Sequence, residues 1–319
     1  MTVKPNFVLE AAVEGRYIVE RFKGGEDGLP YGECLERLEF KNIITNTGMG
    51  KIYLCGHDGF GIGYVFSACV VGTGNTAVAK TDTSLAVWLA TADNGQYQPS
   101  ATYVAGSPSP AYWKLVGGYQ FATGVAAGNI AEIGIYSYGA SKTALTSRAL
   151  ILDTSGNPTT ITVQSDEVLN VTYEFRVYIQ TTDISSTFVS DGVTYNTVLR
   201  PSNINSPGGI ANDMSTQVAS CWAYSGALGA ITAAPAGSSI SKNSGFSNYL
   251  LSGDTAQVDT SFLFGVNDAN YTNGIQAFNF TTKYHQFQMS FIDPLTSKGI
   301  PKVSGQQMIV AARFLWTRL

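Results

Sequence analysis

The chain has 319 residues and a mass of 34.0 kDa, enough for one large sandwich or for two domains with cores of their own. Charged side chains make up 13% of it, where an ordinary soluble domain carries roughly 25%, and Gly, Ser, Thr, Asn and Gln take their place. Abundant aromatic and β-branched residues argue against disorder, and a net charge of −4 with no basic patch gives nucleic acid or an anionic membrane no electrostatic hold.

Residues 1–41 carry a third of all charged side chains. Phe7 to Val13 and Arg16 to Phe22 alternate around Glu14-Gly15, the pattern of a hairpin. The segment reads either as a solvated hairpin or as a charged N-terminal arm that docks on a neighbouring subunit, with Glu14, Arg16, Glu20, Arg21 and Lys23 as the candidate docking residues. Gly24 to Pro30 reads as a turn. Leu38 to Ile44 leads into Asn46–Tyr53, where a short helix is plausible. Tyr64 to Val71 is an apolar run typical of a buried strand. Thr81 or Asp82 could cap a helix through Ser84–Ala90, the best helical segment in the chain.

From Tyr112 onward the expected elements are strands, at Tyr112–Phe121, Ile130–Tyr136, Thr143–Leu152, Thr159–Val163 and Leu169–Ile179. In the last, Leu169, Val171, Tyr173, Phe175 and Val177 share one face, and Asn170, Thr172, Glu174 and Arg176 share the other. Asp153 to Pro158 is a turn by its chemistry. Thr181 to Ser190 is a polar break, taken as a domain boundary. Beyond it, Gly/Ser/Asn loops alternate with strands at Ser261–Val266, Ile275–Thr281, Phe287–Ile292 and Met308–Arg318. The expected fold class is therefore mostly β, with two antiparallel β-sandwich-like domains in tandem and one short helix. The expected division is an arm at 1–41, a first sandwich at 42–182 and a second β-rich domain at 183–319.

Chemistry-bearing patterns are sparse. Gly72-Thr73-Gly74-Asn75-Thr76-Ala77 fits a dinucleotide fingerprint in form, but no second parallel strand ending in Asp or Glu is read after it. Cys55-Gly56-His57-Asp58 groups a thiol, an imidazole and a carboxylate, yet nothing ties His285, the other histidine, to that loop. The carboxylates Asp82, Glu132, Asp166, Glu167 and Glu174 show no spacing that would pair two of them across a sugar. Cys34, Cys55, Cys69 and Cys221 have no disulfide or metal-site spacing. No catalytic residue, metal ligand or cofactor is assigned. Aromatics in loop-like stretches, Tyr97, Tyr103, Tyr112, Trp113, Trp222, Tyr224 and Tyr271, fit a core or a subunit interface. Trp222 and Tyr224 are the candidate contact for a host glycan. No secretion signal is read at the start, and no apolar run approaches the ~18 residues of a membrane span. The expectation is a protein made in a host cytoplasm that does not insert into membranes.

Four motifs carry a resemblance. Phe40 to Met49 is similar to an F-x-N-L-I-x-x-x-G-L opening. Val71 to Ala77, followed by Thr81 to Leu85, is similar to V-G-x-G-x-T-A … D-T-x-L. Phe121 to Gly134 matches F-x-x-G-x-A-x-G-N-x-x-E-x-G, and Ser147 to Asp153 with Val171 to Phe175 continue the series in order. Together they resemble tailed-bacteriophage virion proteins of the tail-fibre, baseplate and collar kind, over a little under half the chain. The resemblance implies a virion structural subunit without catalytic residues. Asp82, Asn129 and Glu132 would then act as turn and loop fixers. The implied partners are identical subunits in a trimer or higher cyclic oligomer, other virion proteins and possible host surface polysaccharide. The alternatives are a stand-alone carbohydrate-binding module and a glycan depolymerase.

Overall fold

The computed structural model describes residues 2–3, 8–54, 65–93, 100–106, 110–137, 144–204, 220–243, 247–281 and 286–319. Among these the fold is mostly β with a single helix, Asn46–Leu54. Thr45 caps that helix: its Oγ1 accepts from Gly48 N at 2.9 Å and donates to Leu145 O at 2.5 Å.

A nine-stranded sheet forms the platform. Its path runs Ser247–Ser252, Thr255–Phe264, Met308–Arg318, Leu9–Gly24, Glu167–Ile179, Tyr112–Phe121 and Ser100–Val104. Thr2–Val3 pairs with Met308–Arg318, and Pro30–Lys41 pairs with Leu9–Gly24. Leu9–Gly24 is central. It pairs antiparallel with Glu167–Ile179 over thirteen residues, from Lys23↔Glu167 to Ala11↔Ile179. Its first residues run parallel to the last strand, from Leu9↔Phe314 to Val13↔Arg318.

This corrects the expected hairpin at Glu14-Gly15. The strand passes straight through, because Gly15 sits where a Cβ would strike the Asn42 carboxamide and the Tyr173 hydroxyl. The missing side chain lets two layers approach; it does not make a turn.

Two smaller sheets lie against the platform. A five-stranded sheet has the order Ile43–Ile44, Leu145–Leu150, Glu132–Tyr136, Ala68–Gly72 and Trp88–Asp93. A six-stranded sheet has the order Ile184–Ser190, Val193–Ser202, Gln286–Ile292, Ala277–Thr281, Ser220–Tyr224 and Ser239–Asn243. Ile161–Val163 and Gly128–Ile130 form a separate pair.

Alternation shows how the layers stack. Val13, Tyr17 and Val19 of the central strand join the first core with Phe66, Cys69, Val71, Ile133 and Ile135. Leu9, at the same parity on the same strand, joins the second core with Phe278, Phe280, Phe287, Met289 and Phe291. The last strand divides likewise, Trp316 in the first core and Phe314 in the second. One face of the platform therefore serves both cores. The sheet crosses the expected boundaries at residues 41 and 182, since strands from all three expected segments are hydrogen-bonded neighbours within it.

Two further expectations change. Ser84–Ala90 is not a helix: Trp88–Asp93 is a strand paired with Ala68–Gly72, and Leu85 is buried with Val70, Tyr136 and Leu145. The polar break at Thr181 to Ser190 contains the strand Ile184–Ser190, which folds back on Val193–Ser202 through Asp191-Gly192, both at positive φ.

Candidate functional site

The segments that carry the resemblance converge on one buried ion network. Glu132 is fully buried in the middle strand of the five-stranded sheet. Its carboxylate accepts from the backbone N–H of Gly74 at 3.1 Å, Ala86 at 3.0 Å and Val87 at 2.7 Å. Arg148, 2% exposed on the adjacent strand, donates to Glu132 Oε2 from Nε at 3.0 Å and from a terminal nitrogen at 2.7 Å. The same guanidinium reaches Asp82 Oδ2 at 2.6 Å, Thr76 Oγ1 at 3.0 Å and Thr76 O at 3.2 Å. Burial lowers the Arg148 guanidinium, but the hydrogen bonds it donates to Asp82 and Glu132 outweigh that and hold it above its ordinary range.

The glycines have a steric reason. A Cβ at Gly72 or Gly74 would collide with the Glu132 carboxylate. Only glycine lets the 72–87 loop close over that acid. Asp82 also accepts from Ala79 N at 2.9 Å, and Asn129 Oδ1 accepts from Thr162 Oγ1 at 2.9 Å. All three expected fixers are thus bonded to loops or neighbouring strands. Arg148, the hub, was missed by sequence reasoning. Its signal is a lone cation inside the strand Leu145–Leu150, where five of six residues are buried.

The charged residues expected to face a neighbour are partnered inside the chain. Glu14, 2% exposed, meets Arg16 at 2.6 Å, Lys41 at 2.6 Å and Arg176 at 3.9 Å. Burial raises the Glu14 carboxyl, but hydrogen bonds from Lys41 and Arg16 outweigh it and hold the group below its usual range. Glu20 pairs with Arg37 at 2.6 Å. Arg21 bridges Glu167 at 2.8 Å and Glu36 at 3.2 Å, and Lys23 reaches Asp166 at 3.0 Å and Glu167 at 3.1 Å. Glu174 bonds Arg176 and lies 3.6 Å from Lys114. Glu14, Arg16 and Glu20 with their partners on the flanking strands thus make the outer face of the platform a lattice of alternating charges spanning four strands, whereas Arg21, Lys23, Glu36 and Glu167 cluster at the end of the core-side face.

Trp222 and Tyr224 lie two residues apart on one strand and point to the same side of the six-stranded sheet. Trp222 is 36% exposed, whereas Tyr224 is 8% exposed and its hydroxyl is pushed up by burial. They do not form a two-ring platform; Trp222 alone is open. Trp113 is buried, while Tyr103, Tyr112 and Tyr271 are half-buried. Cys55, His57, Asp58, Tyr97 and His285 lie outside the described residues. Among the described residues, no three metal-binding side chains are grouped, and no helix is long and apolar enough to cross a membrane.

Comparison of the chain with family models, with curated proteins and with solved structures finds no match.

Proposed function

We propose that this chain is a structural subunit of a phage virion, docking as identical copies into a tail, baseplate or collar assembly and made in the host cytoplasm. The observation that carries the reading is where the resembling motifs lead. Gly74, Thr76 and Asp82 of one loop are bonded to the buried Glu132–Arg148 pair, which pins that loop to a sheet. Motif positions occupied in this way describe an architecture and leave no free acid–base pair for substrate. Assembly through identical copies is supported by large apolar side chains left open, among them Tyr31 at 72%, Val189 at 64% and Leu295 at 93% exposure. The test is proteomics and imaging of particles grown with a tagged copy of the chain. The tag is expected at fixed stoichiometry in purified virions; its restriction to the soluble lysate would overturn the proposal.

A carbohydrate-binding module is the second reading, and the open indole of Trp222 favours it. It predicts that Trp222→Ala abolishes binding to host surface polysaccharide while circular dichroism is unchanged. Absence of polysaccharide binding by the unsubstituted protein would discard it.

A further inference from the structure

Lys302 precedes the last strand of the platform and is 2% exposed. Lysine is rarely buried without an ion partner, and among the described residues no carboxylate lies within ion-pair distance of it. Its Nζ meets a carboxamide, lying 2.8 Å from Asn270 Oδ1. Asn270 Nδ2 donates to Val266 O at 3.0 Å, which fixes the plane of the amide. Two residues earlier, Asp268 accepts from Gly265 N at 2.6 Å and from Lys242 Nζ at 2.8 Å. Buried Ala269 between them stands at φ 51 and holds the turn beside Ile275 and Ile300 of the second core.

We infer that Lys302 and Asn270 are joined after folding by an isopeptide bond between Nζ and Cγ. The amine is already against the carboxamide, and the exposed side of Asn270 gives the leaving group a path to solvent. Nζ adds to Cγ as the neutral amine, and the Cγ–Nδ2 bond then breaks. The proton given up by Nζ leaves with Nδ2 as ammonia. No oxidant or cofactor is needed. One amine and one primary amide become one secondary amide and ammonia. The product also removes the anomaly, because an unpaired buried cation becomes a neutral amide whose one N–H can take the place of the departed Nδ2 donor toward Val266 O. Burial independently favours the reactive form, lowering the Lys302 ammonium from its usual range against a smaller opposing effect of Asp268. The bond would tie the segment after Thr255–Phe264 to the start of Met308–Arg318, closing the second core.

The test is mass spectrometry of the full-length chain under denaturing conditions. Its mass is expected to be lower than the sequence mass by about 17 Da, the ammonia lost on forming the amide. Trypsin should release a branched peptide joining residues 243–283 to 299–313, with cleavage blocked at Lys302. Lys302→Arg and Asn270→Ser should each restore the full mass. A full mass in the unsubstituted protein would overturn the inference. So would a 17 Da loss confined to a linear peptide, which would mark a succinimide at Asn270.

Discussion

Arg148 and Glu132 show how charge is used in a chain that carries little of it. Each would be costly alone on the buried face of the five-stranded sheet turned away from the first core, and together they satisfy one another and the backbone of the 72–87 loop. Arg148→Ala leaves Glu132 buried without its cation, so a loss of about 3–5 kcal/mol is expected in denaturant unfolding; a change under about 1 kcal/mol would show that the network is dispensable. Glu167 gives a pH-dependent counterpart. Burial raises its carboxyl, but the Gln164 N–H, Arg21 and Lys23 lower it from 4.5 to about 2. A carboxyl depressed in the folded state stabilises fully above the unfolded value, and that stability fades as pH falls from 4.5 through about 2. Unfolding midpoints should therefore fall across that window, and Glu167→Gln should flatten the slope while lowering stability at neutral pH. An unchanged slope in the variant would assign the acid sensitivity to other groups. The resemblance marked Asp82, Asn129 and Glu132 as turn and loop fixers, but Arg148, Arg318 and Lys302 have partners far along the chain. Arg318, for example, donates to Ile44 O at 2.7 Å and to Asn46 Oδ1 at 2.8 Å, and local spacing holds no record of such contacts.

Among the elements, alternation was the dependable guide. Glu167–Ile179 places Val171, Tyr173, Phe175 and Val177 in the core as its period of two requires, and Met308–Arg318 has the expected bounds. Where the sequence misled, tertiary pairing outweighed local preference. Ser84–Ala90 has helical composition, yet a sheet edge was available to Trp88–Asp93 and a buried niche to Leu85. Charge density misled in another way at the N-terminus, where ion pairs between adjacent strands resemble a solvated arm when read along one strand. The consequence can be tested by truncation. Residues 9–24 form the central strand, so removing residues 1–24 should yield insoluble or unfolded protein. Replacing the exposed turn at 25–29 with a shorter one should leave the far-ultraviolet dichroism unchanged. A soluble, cooperatively unfolding product lacking 1–24 would mean that the platform closes without its centre.

At the scale of the whole molecule, the platform holds the two cores side by side on one face and presents an ion lattice on the other. The β-rich class was legible from composition and turn chemistry; the shared sheet was not, because pairing of Leu9–Gly24 with Met308–Arg318 joins opposite ends of the chain. A single sheet spanning both cores should make them unfold together, so calorimetry should give one transition. Two separated transitions would indicate that the halves are independent. The virion reading requires more: a chain with few charges and large open side chains has to cover them with copies of itself. Multi-angle light scattering of the purified full-length protein at high micromolar concentration tests this most directly. The account predicts a discrete oligomer of three or more subunits, and a monomer across the whole concentration range would contradict it.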